Sequence, residues 1–144
     1  MKRALAILLA AGFPLACGTN PKATENRGWS DHYAFEITVS PMPPKAEAPN
    51  YYRVFVKDKA TGKPVDGGEG QIFATSKDNA NVDNGFQKEK EPGMYSARLI
   101  FPTGGDWSVA IRFRGDHNPR TSLEKIDWVQ AVQEDTTFGP GGGK

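Results

Sequence analysis

Two runs of alternating side chains on either side of one short break constrain this chain more than any other feature. Tyr95, Ala97, Leu99 and Phe101 alternate with Ser96, Arg98 and Ile100. After Pro102-Thr103-Gly104-Gly105-Asp106, Trp107, Val109, Ile111 and Phe113 alternate with Ser108, Ala110, Arg112 and Arg114. Successive side chains on a strand point to opposite faces, so a period of two places one face of each run on a core and the other in water. Two such runs about a Pro-Gly break read as an antiparallel β-hairpin, with Trp107 entering the core just after the turn.

The rest of the chain repeats this pattern in shorter pieces. Tyr33, Phe35, Ile37 and Val39 alternate until Pro41-Met42-Pro43-Pro44 ends the run, because proline cannot continue a central ladder. Tyr51 to Lys57 predicts a second strand with Tyr52, Val54 and Val56 inward, followed by a turn with Gly62 at its left-handed position. Gly70 to Thr75 predicts a third, in either of two registers: Ile72 and Ala74 inward, or Phe73 and Thr75 inward. Ser76 to Asn84 is rich in turn formers and predicts a long exposed loop, and Phe86 to Glu91 a short solvated edge strand. Ser122 to Gln133 has Ile126, Trp128, Gln130 and Val132 at period two, predicting a last strand. A helix with Leu123, Ile126 and Val129 along one side is the alternative. With 144 residues, 16 Gly and 11 Pro, about seven short strands fit a single all-β domain, an immunoglobulin-like antiparallel β-sandwich over residues 32–135. The segment 136–144 is read as a disordered tail.

The N-terminus speaks to location. Met1-Lys2-Arg3 is basic, Ala4 to Ala11 is an apolar run too short to span a bilayer, and Gly12 to Cys17 follows, which is the order of a bacterial-type export signal over residues 1–16. An ordinary buried helix is the alternative. Cys17 is the single cysteine, so no intramolecular disulfide can form. Leu15-Ala16-Cys17 resembles a bacterial lipobox, although Pro14 stands where that motif usually has Leu. The resemblance implies cleavage between Ala16 and Cys17 and lipidation of Cys17, while plain cleavage near Ala16 is the alternative. Gly18 rather than Asp follows, which does not resemble an inner-membrane retention signal and implies the outer membrane if the source is Gram-negative. Residues 17–31, polar apart from Trp29, then read as the lipidated N-terminus and a tether, with Trp29 as a solitary aromatic that packs on the edge of the fold instead of binding a ligand. With Lys2 and Arg3 removed from the 18 basic residues, against 17 acidic ones, the mature chain carries a net charge of −1. Nothing there selects a polyanion, so nucleic acid is not an expected partner.

Val39 to Pro44, Asp58 to Val65 and Pro92 to Ile111, taken in that order, resemble the FixH/YtkA-like domains of bacterial envelope proteins. The resemblance covers roughly residues 33–116. It implies a small β-sandwich outside the cytoplasmic membrane, often linked to copper handling or respiratory-oxidase assembly. The residues themselves give that link little purchase. His32, Met42, Met94 and His117 are the only imidazole and thioether side chains of the mature domain, and none stands in an H-x-H, M-x-x-M or H-x-M spacing. They are weak metal candidates at most, and no cofactor is expected. Gly67-Gly68-Glu69-Gly70 lacks the Lys-Ser/Thr of a phosphate loop, and Asp78 to Asn84 lacks the terminal Glu of a calcium loop. With Cys17 assigned to lipid, no nucleophile constellation remains, so no enzymatic activity is expected. The expectation is a non-catalytic, exported lipoprotein that binds the membrane through its lipid and an envelope protein through its loops and a sheet edge. A periplasmic copper-handling or oxidase-assembly role is the alternative.

Overall fold

The structure, a computed structural model, describes residues 26–135. The expected signal peptide, the cleavage and lipidation at Ala16 and Cys17, and the tail at 136–144 lie outside the described residues. Among the described residues nine strands form two antiparallel sheets: β1 (Asn26–Trp29), β2 (Tyr33–Ser40), β3 (Pro49–Asp58), β4 (Glu69–Ser76), β5 (Asn81–Gly85), β6 (Gln87–Lys88), β7 (Met94–Ile100), β8 (Gly105–Arg114) and β9 (Glu124–Val132). One sheet runs β1-β2-β3-β7-β6 and the other β5-β4-β8-β9. The inward positions of both meet in a single core that includes Phe35, Tyr52, Val54, Ile72, Tyr95, Leu99, Trp107, Ile111 and Phe113. This is the β-sandwich the alternation predicts, with the inward faces of β2, β3, β7 and β8 as read.

The expected hairpin is not one. β7 is laddered to β3 and β6, and β8 to β4 and β9, so the two strands lie in opposite sheets and face each other through side chains. Residues 101–104 cross between the layers. Phe101 and Trp107 pack at 5.1 Å inside the crossing, and the Trp107 indole Nε1 donates to the Thr103 carbonyl at 3.0 Å. The physical reason is volume. Stacked sheets stand about 10 Å apart, and that space must be filled by large side chains from both faces, which the inward residues of these two runs supply.

Two further strands appear where none was expected. β1 occupies residues 26–29 of the stretch read as tether, pairing with β2 from Asn26↔Ile37 to Trp29↔Ala34. β5 occupies the end of the expected loop, with Val82 packed on the core and Thr75 Oγ1 donating to Asn81 Oδ1 at 2.7 Å. An edge strand needs few apolar residues, so one Val among Asn and Asp suffices there. β4 adopts the register with Ile72 and Ala74 buried, which leaves Phe73 on the outer face beneath the Arg112 guanidinium at 4.9 Å. Residues 124–132 form a strand and not a helix, with Ile126, Gln130 and Val132 buried.

Strand directions define two ends. One carries the β1–β2 turn with His32, the β3–β4 crossover, the loop before Met94 and the β8–β9 loop with His117. The other carries residues 41–48 with Met42, the β4–β5 turn and the crossing at 101–104.

Candidate functional site

Tyrosines from one sheet pin loops of the histidine end. The Tyr33 hydroxyl accepts from Gly115 N at 2.8 Å, which fixes the start of the β8–β9 loop. The Tyr95 hydroxyl donates to the Val65 carbonyl at 2.6 Å and accepts from Gly68 N at 3.0 Å, which fixes the β3–β4 crossover. Both rings meet Phe113 edge to face, at 5.2 and 5.3 Å, so the hydroxyls are anchored from the core outward. Burial pushes the Tyr95 hydroxyl above its ordinary range, against the hydrogen bond from Gly68. The crossover itself turns at Gly62 (φ 70°), with Asp58 Oδ1 accepting from Ala60 N at 2.8 Å and Thr61 N at 2.9 Å. The Thr61 amide foremost holds the Asp58 carboxyl below its ordinary range.

Each histidine is held by one carboxylate. His117 Nδ1 lies 2.8 Å from Glu69 Oε2, and the Arg114 guanidinium bonds the same carboxylate. His117 and then Arg114 keep Glu69 below its ordinary range. His32 Nδ1 lies 2.5 Å from Glu124 Oε1, while Glu124 Oε2 accepts from Ser30 Oγ and from His32 N at 2.9 Å. Burial alone would push the Glu124 carboxyl up, yet the bonds from Ser30 and His32 outweigh it and hold it low. Ser30 and His32 both address the carboxylate and not each other, so the serine hydroxyl has no imidazole base.

Of the weak metal candidates, Met42 lies at the opposite end from both histidines. Met94 begins β7 at the histidine end, half-buried, with its backbone tied to Glu89 and Glu91. Among the described residues no group of three or more His, Cys, Asp or Glu side chains is arranged to hold a metal ion. The structure thus does not bring the four together. Glu69 and Glu124, which organise this end, carry no signal in the sequence, because their histidines stand 48 and 92 positions away.

Open clefts lie between these loops. A cleft of about 510 Å³ is lined by Trp29, Asp31, Lys59, Leu123 and Lys125 among others. Trp29 is 63% and Leu123 48% exposed, so the cleft offers an indole and an isobutyl group flanked by both charges. Another, of about 640 Å³, is lined by Asp66, Phe86, Lys88, Tyr95 and His117 among others. Lys88 Nζ bonds Asp66 Oδ2 at 3.1 Å there, and with the Gly93 amide it keeps Asp66 below its ordinary range.

A family model described as YtkA-like matches residues 27–112. No curated protein matches the chain in sequence. Among solved structures, a DUF4426 family protein from Pseudomonas aeruginosa PAO1 superimposes with a TM-score of 0.58 at 14% identity, covering 77% of this chain and 96% of that one. The Lin-41 filamin domain superimposes with a TM-score of 0.49 at 15% identity, covering 69% and 91%. The former likeness is one of fold.

Proposed function

This chain belongs to the YtkA-like family, and from that premise we propose that it is a non-catalytic, lipid-tethered binding module of the cell envelope that engages a protein partner through its histidine end. The observation that carries this reading is the pairing of two exposed apolar side chains, Trp29 and Leu123, in one open cleft built from three separate loops. Exposed aromatic anchors flanked by charges are the usual composition of a protein-binding centre and its rim. Loops held on a rigid sandwich are its usual position. The shared carboxylate of Ser30 and His32 leaves that corner without an activated nucleophile, which supports recognition over catalysis. The export signal and Cys17 support the location.

Two measurements test the reading. Cys17→Ser should move the protein from the detergent phase to the aqueous phase with its fold intact, and a mature wild-type chain with an unmodified thiol overturns the tether. A photoreactive side chain at position 123 should cross-link to one envelope protein in intact cells, and Trp29→Ala should abolish the product. A probe at Val129, 71% exposed and outside the cleft, should give none. Equal cross-linking from both positions removes the cleft as the binding surface.

A further inference from the structure

We propose that a corner of the five-stranded sheet, formed by Met42, Tyr51 and Ile100, docks on the phospholipid surface that anchors Cys17. The proposal rests on the lipid-tether reading. It adds that the domain has a fixed face toward the bilayer instead of hanging free from its tether.

The exposed large apolar side chains are unevenly placed. Trp29 and Leu123 belong to the cleft above. Of the other four among the described residues, Val129, 71% exposed, stands on the outer face of β9 in the other sheet, while Met42, Tyr51 and Ile100, 44%, 54% and 47% exposed, collect at the end opposite that cleft. Tyr51 is the register partner of Arg98, and Pro49 that of Ile100, so Tyr51 and Ile100 are diagonal neighbours on the outer face of β3 and β7. Ser40 pairs with Tyr51 on its other side, and Met42 leaves the sheet two residues later from the same corner. The corner is rigid because Asn50, fully buried, ties down the adjoining loop. Its Oδ1 accepts from Lys45 N at 2.8 Å, and its Nδ2 donates to the Lys45 and Ala48 carbonyls, both at 2.9 Å.

The direction of chain entry selects the occupant. β1 starts opposite Ile37 and runs toward the histidine end, so its backbone arrives from the side of Met42. Residues 18–25 separate Cys17 from Asn26 and span at most about 29 Å at full extension. The corner lies two to three strands from β1, roughly 10–14 Å at the usual spacing, so a lipid on Cys17 places it within reach of the bilayer. The chemistry fits an interface. A tyrosine offers an apolar ring with a wet hydroxyl, and an arginine beside it buries its stem while its head meets phosphate. Arg98, the register partner of Tyr51, supplies a cation on the outer face of the corner. The cleft with Trp29 and Leu123 then faces away from the membrane, toward partners.

The test uses the lipidated full chain in vesicles of phosphatidylethanolamine and phosphatidylglycerol. Nitroxides are placed on Ile100→Cys or, as control, on Leu123→Cys. The Cys17 sulfur is taken up in its lipid thioether, so only the introduced thiol is labelled. The label at 100 should become accessible to oxygen and shielded from a water-soluble nickel chelate, while the label at 123 stays aqueous. Adding Tyr51→Ser and Met42→Ser should return the label at 100 to water. A chain that floats with the vesicles but keeps the label at 100 aqueous overturns the docking and leaves the tether standing. A chain that does not float overturns both. Spin–spin broadening between labels at 100 identifies a second copy as the occupant and overturns the lipid surface.

Discussion

Phe101 and Trp107 pack ring against ring at 5.1 Å although β7, which ends just before Phe101, and β8, which contains Trp107, belong to different sheets. The crossing between β7 and β8 is therefore part of the core and not a surface turn. Trp107 is fully buried, with its single donor satisfied by Thr103.

Trp107→Ala removes the largest buried side chain at that point and should cost about 3–5 kcal/mol in denaturant titration, the range for truncating a buried large aromatic. A loss below about 1 kcal/mol would contradict the packing across the crossing.

The opposite effect is expected at Tyr52. Its ring is fully buried and its hydroxyl has no hydrogen-bond partner among the described residues. Burial holds that hydroxyl above its ordinary range. An unsatisfied buried hydroxyl costs about 1–3 kcal/mol, so Tyr52→Phe should raise stability by about 1 kcal/mol at neutral pH. The sign with pH follows from a raised folded value. The contribution is whole below the ordinary tyrosine value near 10 and is lost as pH rises toward the folded one, so the gain from Tyr52→Phe should widen above about pH 10. Unfolding curves at pH 7 and pH 10.5 compare the two chains directly.

Glu124 gives an acid limb of the reverse sign. Its folded value lies below the ordinary glutamate value near 4.3, so its contribution is present above that pH and is lost as pH falls through the folded value. Glu124→Gln should flatten the loss of stability below about pH 4.3. An identical acid limb in both chains would show that Ser30 and His32 do not discriminate the charged form.

Neighbouring glycines should respond differently to one methyl group. A Cβ at Gly70 would stand 2.3 Å from the Arg112 carbonyl, which is backbone of the paired strand and cannot move aside, whereas at Gly67 the nearest atom is 3.9 Å away. Gly70→Ala should cost roughly 1–3 kcal/mol, and Gly67→Ala about 0.5 kcal/mol or less. Thermal unfolding of the two variants side by side reads the difference. Gly70 and Gly68 are thus explained by close approach of β4 to β8 and of the crossover to Phe113, whereas Gly67 meets no such contact.

At the candidate site, sequence located the histidines but not what they do. His32 and His117 were visible as the only imidazoles, and Trp29 as a lone aromatic near the start of the domain. Their partners were not, since Glu124 and Glu69 are ordinary charged residues until the fold brings the β1–β2 turn with His32 beside the first and the β8–β9 loop with His117 beside the second.

Which face of each long strand is buried follows from the order of residues alone. Alternation is a property of the local backbone, so Tyr95, Leu99, Trp107 and Ile111 point inward whatever the strands pair with. What it left open was the pairing. A period of two is the same for strands that share a ladder and for strands that face each other across a core, and only the filling of the space between two sheets separated β7 from β8. The same holds for the ends of the sandwich. Which loops meet at His32 and His117, and which apolar side chains collect around Tyr51, depends on strand order, and strand order is fixed by contacts between residues far apart in the chain.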